Sequence, residues 1–169
     1  CEVDPPTAQK AVGYFSKYLR RNMASLSERK PIPFEEELRH VESYLNLEKL
    51  RYGDKLQVIY DVVSTDFAIP ALTVQPLVEN AVKHGIGKKK SGGVITIMTR
   101  ETPEAHVITV LDTGAGFDPA HPQEDGQHHL GLKSVRDRLT TMSGGRLEVA
   151  SVPGQGTTVT ISIPKGGRT

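Results

Sequence analysis

Four short stretches carry residue types suited to chemistry. The first is Gln75-Pro76-Leu77-Val78-Glu79-Asn80-Ala81-Val82-Lys83-His84-Gly85. At about 100° per residue, Leu77, Val78, Ala81 and Val82 share one arc of a helix. Glu79, Asn80, Lys83 and His84 share the opposite one. An amide oxygen can coordinate Mg²⁺, and a lysine one turn on can meet a phosphate as a point charge. A solvated helix face would show the same split. The second is Asp112-Thr113-Gly114-Ala115-Gly116-Phe117, directly after an apolar run. An aspartate at a strand end can accept a hydrogen bond from an exocyclic amine, and glycines admit a flat ligand close to the backbone. A plain turn reads the same way. An aspartic protease would need a second Asp-Thr-Gly to share the proton, and there is none. The third is His129-Leu130-Gly131-Leu132-Lys133-Ser134-Val135-Arg136, where a glycine opening a helix would aim free N–H groups at phosphate or simply start the helix. The fourth, Gly154-Gln155-Gly156-Thr157-Thr158, alone signals only a hairpin.

The rest of the chain must position these groups. Val12, Phe15, Leu19, Met23 and Leu26 recur at three- and four-residue spacing, which predicts a helix over 8–27 with one apolar seam. Such a seam needs a covering partner, either a second helix in a dimer or the chain's own domain. Pro31-Ile32-Pro33 breaks it. A second helix is expected from Phe34, with Glu35, Glu36 and Glu37 in its first turn where the dipole favours negative charge. Phe34, Leu38, Val41 and Leu45 form its apolar face, Gly53 marks its end, and His40 reads as structural.

Leu56, Val58, Tyr60 and Val62 alternate as in a strand. A helix over 72–84 follows, its start blurred by Pro76. Next come a strand pair around 94–98 and 107–111, a long loop over 114–129, a helix over 131–142, and strands around 147–150 and 158–163. Long loops in compact domains are usually functional. This order predicts an α+β two-layer sandwich, a mixed β-sheet with helices on one face.

Bulk properties set limits. The net charge of +1 gives no electrostatic case for a nucleic-acid partner. Lys88, Lys89 and Lys90 read as a solvated loop. The single cysteine, Cys1, cannot form an internal disulfide. No apolar run approaches the roughly 20 residues of a membrane span. The chain opens without Met and is read as a piece of a longer protein.

Taken in order, Glu79-Asn80-Ala81-Val82-Lys83-His84-Gly85, Asp112-Thr113-Gly114-Ala115-Gly116, Leu130-Gly131-Leu132 and Gly156-Thr157 resemble the asparagine box, two glycine boxes and final glycine motif of the GHKL ATP-binding superfamily. The stretch 75–85 most resembles LytS/YehU-type sensor histidine kinases. So do Glu36-Glu37-Leu38 with Tyr44-Leu45, Arg51-Tyr52-Gly53-Asp54 and Gly131-Leu132-Lys133-Ser134-Val135-Arg136-Asp137-Arg138-Leu139.

The resemblance implies the Bergerat fold with ATP and Mg²⁺ as cofactors. Asn80 would hold Mg²⁺, Lys83 would neutralise phosphate, and His84 would lie beside the nucleotide. Asp112 would receive the adenine amine in a pocket shaped by Gly114 and Gly116, with Thr157 supporting that end through a water. Gly131 and Leu132 would offer N–H groups to phosphate, and 117–129 would be the ATP lid. Glu79 would polarise the acceptor imidazole. Residues 1–29 would be part of a dimerisation bundle and 30–169 the catalytic domain. The resemblance further implies a homodimer, a response-regulator partner, and a cytoplasmic domain of a bacterial inner-membrane protein, anchored only through upstream segments.

Three departures from the family pattern bear on this. His129 stands where the second glycine box has a glycine, Thr113 where the first often has asparagine, and Pro76 where the hydrolytic members carry a water-activating glutamate. The phosphoacceptor histidine is expected upstream. Rival readings are a nucleotide-responsive interaction module without kinase activity, and a kinase acting on serine.

Overall fold

The structure is a computed structural model. It describes Gln9, 12–16, 19–20, Met23, 30–118 and 126–166, with the backbone alone at 126–130. The described residues before Met23, and Met23 itself, are helical. Their apolar seam is open, with Val12 65%, Phe15 49%, Leu19 43% and Met23 73% exposed. The remainder of the expected helix over 8–27 lies outside the described residues.

Two short strands, β1 (Ile32–Pro33) and β3 (Ala68–Ile69), pair antiparallel. Between them lie helix α1 (Phe34–Tyr52) and strand β2 (Leu56–Val62). Helix α2 (Gln75–Asn80) follows and runs without interruption into a π-helical turn, Ala81–Gly85. Then come β4 (Gly93–Glu101), β5 (Ala105–Asp112), helix α3 (Gly126–Ser143), β6 (Arg146–Val152) and β7 (Gly156–Pro164).

The main sheet has the order β2-β4-β5-β7-β6. β2 runs parallel to β4, and every other neighbour is antiparallel. This is the mixed sheet that the order of elements predicts. Its core-facing residues, Ile95, Ile97, Ile108, Val110, Val159 and Ile161, pack against Val41 and Leu45 of α1, Leu77 and Val78 of α2, and Val135 and Leu139 of α3. The strand alternation thus buries one face under the three helices. His40, 2% exposed, belongs to this interior, as expected. Phe34, Phe67 and His106 stack in sequence, with centroids 4.7 and 4.6 Å apart, and fasten the start of α1 to the sheet.

Two helices depart from the sequence reading. The expected helix over 72–84 begins only at Gln75, because Leu72 adopts φ 56° and Pro76 fits only a first turn. Helix α3 begins at Gly126, five residues before Gly131.

Candidate nucleotide site

Helix α2 presents the predicted polar arc. Leu77, Val78, Ala81 and Val82 are buried, whereas Glu79, Asn80 and His84 are half-buried and Lys83 is exposed. Gln75 Nε2 donates to Glu79 Oε1 at 2.8 Å, and Lys83 Nζ lies 3.8 Å from Glu79 Oε2. Asn80 Nδ2 is buried and has no hydrogen-bond partner among the described residues. A buried polar atom left in this state costs about 1–3 kcal/mol unless an ion, ligand or water satisfies it. The π turn rotates Lys83 and His84 relative to an ideal α-helix, and such turns recur at functional sites.

Asp112 ends β5, 5% exposed, in register with Ile95 on one side and Thr157 on the other. Its Oδ1 accepts the Gly114 N–H at 2.8 Å. Burial pushes its carboxyl above the ordinary 3.8, while N–H bonds from Gly114 and Thr157 and the charge of Lys89 pull the other way. The glycines around it are a steric requirement. A Cβ on Gly85 would lie 2.6 Å from Asp112 Oδ1, and one on Gly114 would lie 2.2 Å from the Gly85 carbonyl carbon. On Gly156, at φ 102°, it would lie 1.9 Å from the Asp112 carbonyl oxygen. Gly116, at φ 61°, is equally closed, by the Val152 carbonyl oxygen at 2.1 Å. Backbone therefore packs directly around the carboxylate and its turn at these glycines.

Thr157 Oγ1 lies 2.9 Å from Ser151 Oγ. Ser151 Oγ donates to the Gly156 carbonyl at 3.0 Å and accepts the Phe117 N–H at 2.9 Å. Ser151 thus ties the hairpin glycine to the start of the long loop. Ala115 N–H donates to the Gly85 carbonyl at 3.1 Å, which joins the Asp112 turn to the end of the asparagine helix.

Gly131 lies against Asn80, since a Cβ there would meet Asn80 Nδ2 at 3.9 Å. The expectation that Gly131 and Leu132 open a helix is corrected. They lie beyond the first four residues of α3, so their N–H groups enter its own ladder. The Leu132 side chain packs on the core. Residues 119–125 of the expected lid, and the His129 side chain, lie outside the described residues.

Sequence reasoning missed three contributors. Lys89, read as solvated, donates to the Thr113 carbonyl at 2.6 Å. Ser151 had no motif to mark it. Glu37, read as a helix-dipole residue, is fully buried. It accepts backbone N–H groups from Leu72 at 3.0 Å, Thr73 at 2.8 Å, Val74 at 2.8 Å and Gln75 at 3.2 Å.

Among the described residues, no group of three or more His, Cys, Asp or Glu could hold a metal ion. A hard cation here would have to combine the Asn80 amide with ligand phosphate oxygens and water. Mg²⁺ is commonly bound in that way, so the residues present fit it.

A helix-covered mixed sheet with a buried strand-end aspartate and an asparagine helix beside it defines an ATP-binding domain of the GHKL class. The family model for histidine kinase-, DNA gyrase B-, and HSP90-like ATPases matches residues 67–167, and the histidine kinase model matches 1–56. The chain belongs to the histidine kinase-, DNA gyrase B-, and HSP90-like ATPase family.

It is 36% identical over 168 residues to the sensor histidine kinase YpdA of Escherichia coli, covering 96% of this chain and 29% of that one. It is 33% identical over 172 residues to the sensor protein LytS of Streptococcus mutans, covering 96% and 30%. A Bacillus subtilis protein, YwpD, is 34% identical over 167 residues, covering 95% and 60%. The chain therefore spans less than two thirds of the length of these relatives. Its fold matches the histidine kinase domain of the Erythrobacter litoralis blue-light activated kinase, with a TM-score of 0.63 at 21% identity, covering 96% of this chain and 76% of that one. It also matches the catalytic domain of histidine kinase ThkA, with a TM-score of 0.60 at 17% identity, covering 82% and 96%.

Proposed function

We propose that this chain is the ATP-binding catalytic part of a two-component sensor histidine kinase, which passes the γ-phosphoryl group of ATP to a histidine upstream, for relay to a response regulator. The buried Asp112 carboxylate carries the reading. It is a buried hydrogen-bond acceptor at a strand end, set among glycines whose tight packing excludes side chains, with the polar arc of α2 adjoining through Gly85. Asp112 receives the adenine amine, and the backbone at Gly114, Gly116 and Gly156 admits the flat ring. Thr157, braced by Ser151, supports that end.

Asn80, Lys83 and His84 face the phosphates. The Asn80 amide holds Mg²⁺, which when bound neutralises and orients the phosphate oxygens. Phosphoryl transfer needs positioning and charge neutralisation more than covalent help. Lys83 supplies the charge, and Glu79, held by Gln75, polarises the acceptor imidazole. Gly131 and Leu132 can reach phosphate through their N–H groups only if the first turns of α3 unwind. Pro76 leaves no water-activating base at its position, which supports transfer over hydrolysis.

The open seam of Val12, Phe15, Leu19 and Met23 supports dimerisation through residues 1–29, with 30–169 as the catalytic domain. No helix among the described residues is long and apolar enough to cross a membrane. Attachment of a cytoplasmic domain to the bacterial inner membrane is assigned to upstream segments.

The helical state of Gly131 and Leu132 favours a second reading, an interaction module that does not bind ATP. Calorimetric titration with Mg·ATP separates the two. Binding that Asp112→Asn abolishes supports the nucleotide site; no binding by this chain, or by one extended upstream, refutes it.

A further inference from the structure

The start of α2 has an unusual anchor. Its N-cap, Val74, offers no side-chain hydrogen bond, and Pro76 occupies the first turn. The unpaired donors of the helix start at Val74 and Gln75, together with those of Leu72 and Thr73 just before it, are instead taken by one carboxylate from another helix. Glu37 Oε1 accepts the N–H groups of Thr73, Val74 and Gln75, and Oε2 accepts that of Leu72. Arg138 of α3 closes the same junction. Its guanidinium donates to the Ala71 carbonyl at 2.9 Å and feels the charge of Glu37. All three helices covering the sheet thus meet at one buried carboxylate, and α2 alone among them bears Asn80, Lys83 and His84.

We propose that Glu37 is a positioning residue for the phosphate half of the nucleotide site, fixing the placement of Asn80 by gripping the backbone over 72–75. A carboxylate with several N–H donors is a stiff connection, because each bond constrains a different peptide plane. Its reach is selective. Asp112, Thr157, Gly114 and Gly156 belong to β5, β7 and the turns beside them, and their link to α2, through Gly85, lies at the opposite end of that segment from the backbone Glu37 grips. Loosening the grip should therefore shift the phosphate-facing groups and leave the adenine recess in place. The inference rests on the assignment of α2 to phosphate and Asp112 to adenine.

The test is Glu37→Gln, with Mg·ATP and adenosine titrated separately against the whole chain. The amide keeps an acceptor for the Oε1 bonds and sets a donor against the Leu72 N–H. Mg·ATP affinity is expected to fall roughly tenfold, the scale of a misplacement below 1 Å, with adenosine affinity unchanged within about twofold. Unchanged affinity for both ligands overturns the proposal. A parallel loss of both also overturns it, since that is the mark of a merely destabilised fold. If Glu37→Gln does not fold, Arg138→Lys, which loosens the same junction from α3, must give the same split or the proposal fails. Binding of neither ligand by the unaltered chain would instead sink the nucleotide-site reading itself.

Discussion

Replacing Gly114 by alanine probes the approach between the Asp112 turn and the π turn. The new Cβ would lie 2.2 Å from the carbonyl carbon and 2.3 Å from the Cα of Gly85, both backbone atoms, and 2.7 Å from Asp112 Oδ1. Non-bonded carbons settle near 3.5–4.0 Å, so the Asp112 turn and the π turn must separate by about 1.3 Å. Overpacking of this kind costs about 1–3 kcal/mol. The separation also breaks the Ala115 N–H bond to the Gly85 carbonyl, worth about 1 kcal/mol. A total of about 2–4 kcal/mol lowers the melting temperature by roughly 5–15 °C for a chain of this size. Gly131→Ala supplies the opposite sign. Among the described residues its Cβ meets only Asn80 Nδ2, at the ordinary distance of 3.9 Å, and alanine inside a helix gains about 1 kcal/mol over glycine. Calorimetric melting of both variants, followed by Mg·ATP titration at 20 °C, tests the pair. Gly114→Ala should melt low and lose affinity even where fully folded, because its Cβ crowds the carboxylate. A melting temperature for Gly114→Ala within about 2 °C of the unaltered chain would refute the steric argument.

Two further outcomes follow from single buried groups. Thr99 is fully buried, and its hydroxyl accepts the N–H groups of Val63 and Ser64, both at 3.1 Å, and donates to the Ser64 carbonyl at 2.8 Å. Thr99→Val should cost about 1–3 kcal/mol in denaturant unfolding without changing ATP affinity; an unchanged midpoint would contradict it. Burial raises the folded Asp112 carboxyl above its ordinary 3.8. The folded chain then holds that proton to higher pH than the unfolded one. The stability it contributes is complete below 3.8 and is lost as pH rises through the folded value. Asp112→Asn should flatten the melting temperature against pH over that span, leaving a residual slope from Glu37, which burial also raises. Superimposable curves would show that Asp112 does not titrate there.

Much of this arrangement was legible in the sequence, because regular periods encode burial. The three- and four-residue spacing of Phe34, Val41 and Leu45 and the apolar runs around 94–98, 107–111 and 158–163 marked residues that the structure buries, whereas of the alternating set in 56–62 only Leu56 is fully buried and Tyr60 is exposed. The polar arc of Glu79, Asn80, Lys83 and His84 was equally plain. What escaped lacks a period. The π turn over 81–85 is a local change of pitch within an apolar pattern that suits either helix. Helix α3 begins among glycine, glutamine and histidine residues that give no start signal. Glu37 looked like a first-turn acid because a sequence lists neighbours along the chain, whereas its donors lie 35 to 38 residues away. Lys89, which donates to the Thr113 carbonyl, was hidden among three like charges.

The parallel pairing of β2 with β4 in an otherwise antiparallel sheet has a kinetic consequence. Parallel neighbours cannot be joined by a tight turn, and here the crossing segment carries α2 itself. Helix α2 is thus part of the connector that brings an edge strand to its seat. The sheet cannot be completed first and the helix docked afterwards without first meeting the entropic cost of closing that long loop. Changes in residues 75–85 should therefore slow the late acquisition of the β2 edge even when the equilibrium stability is unaltered.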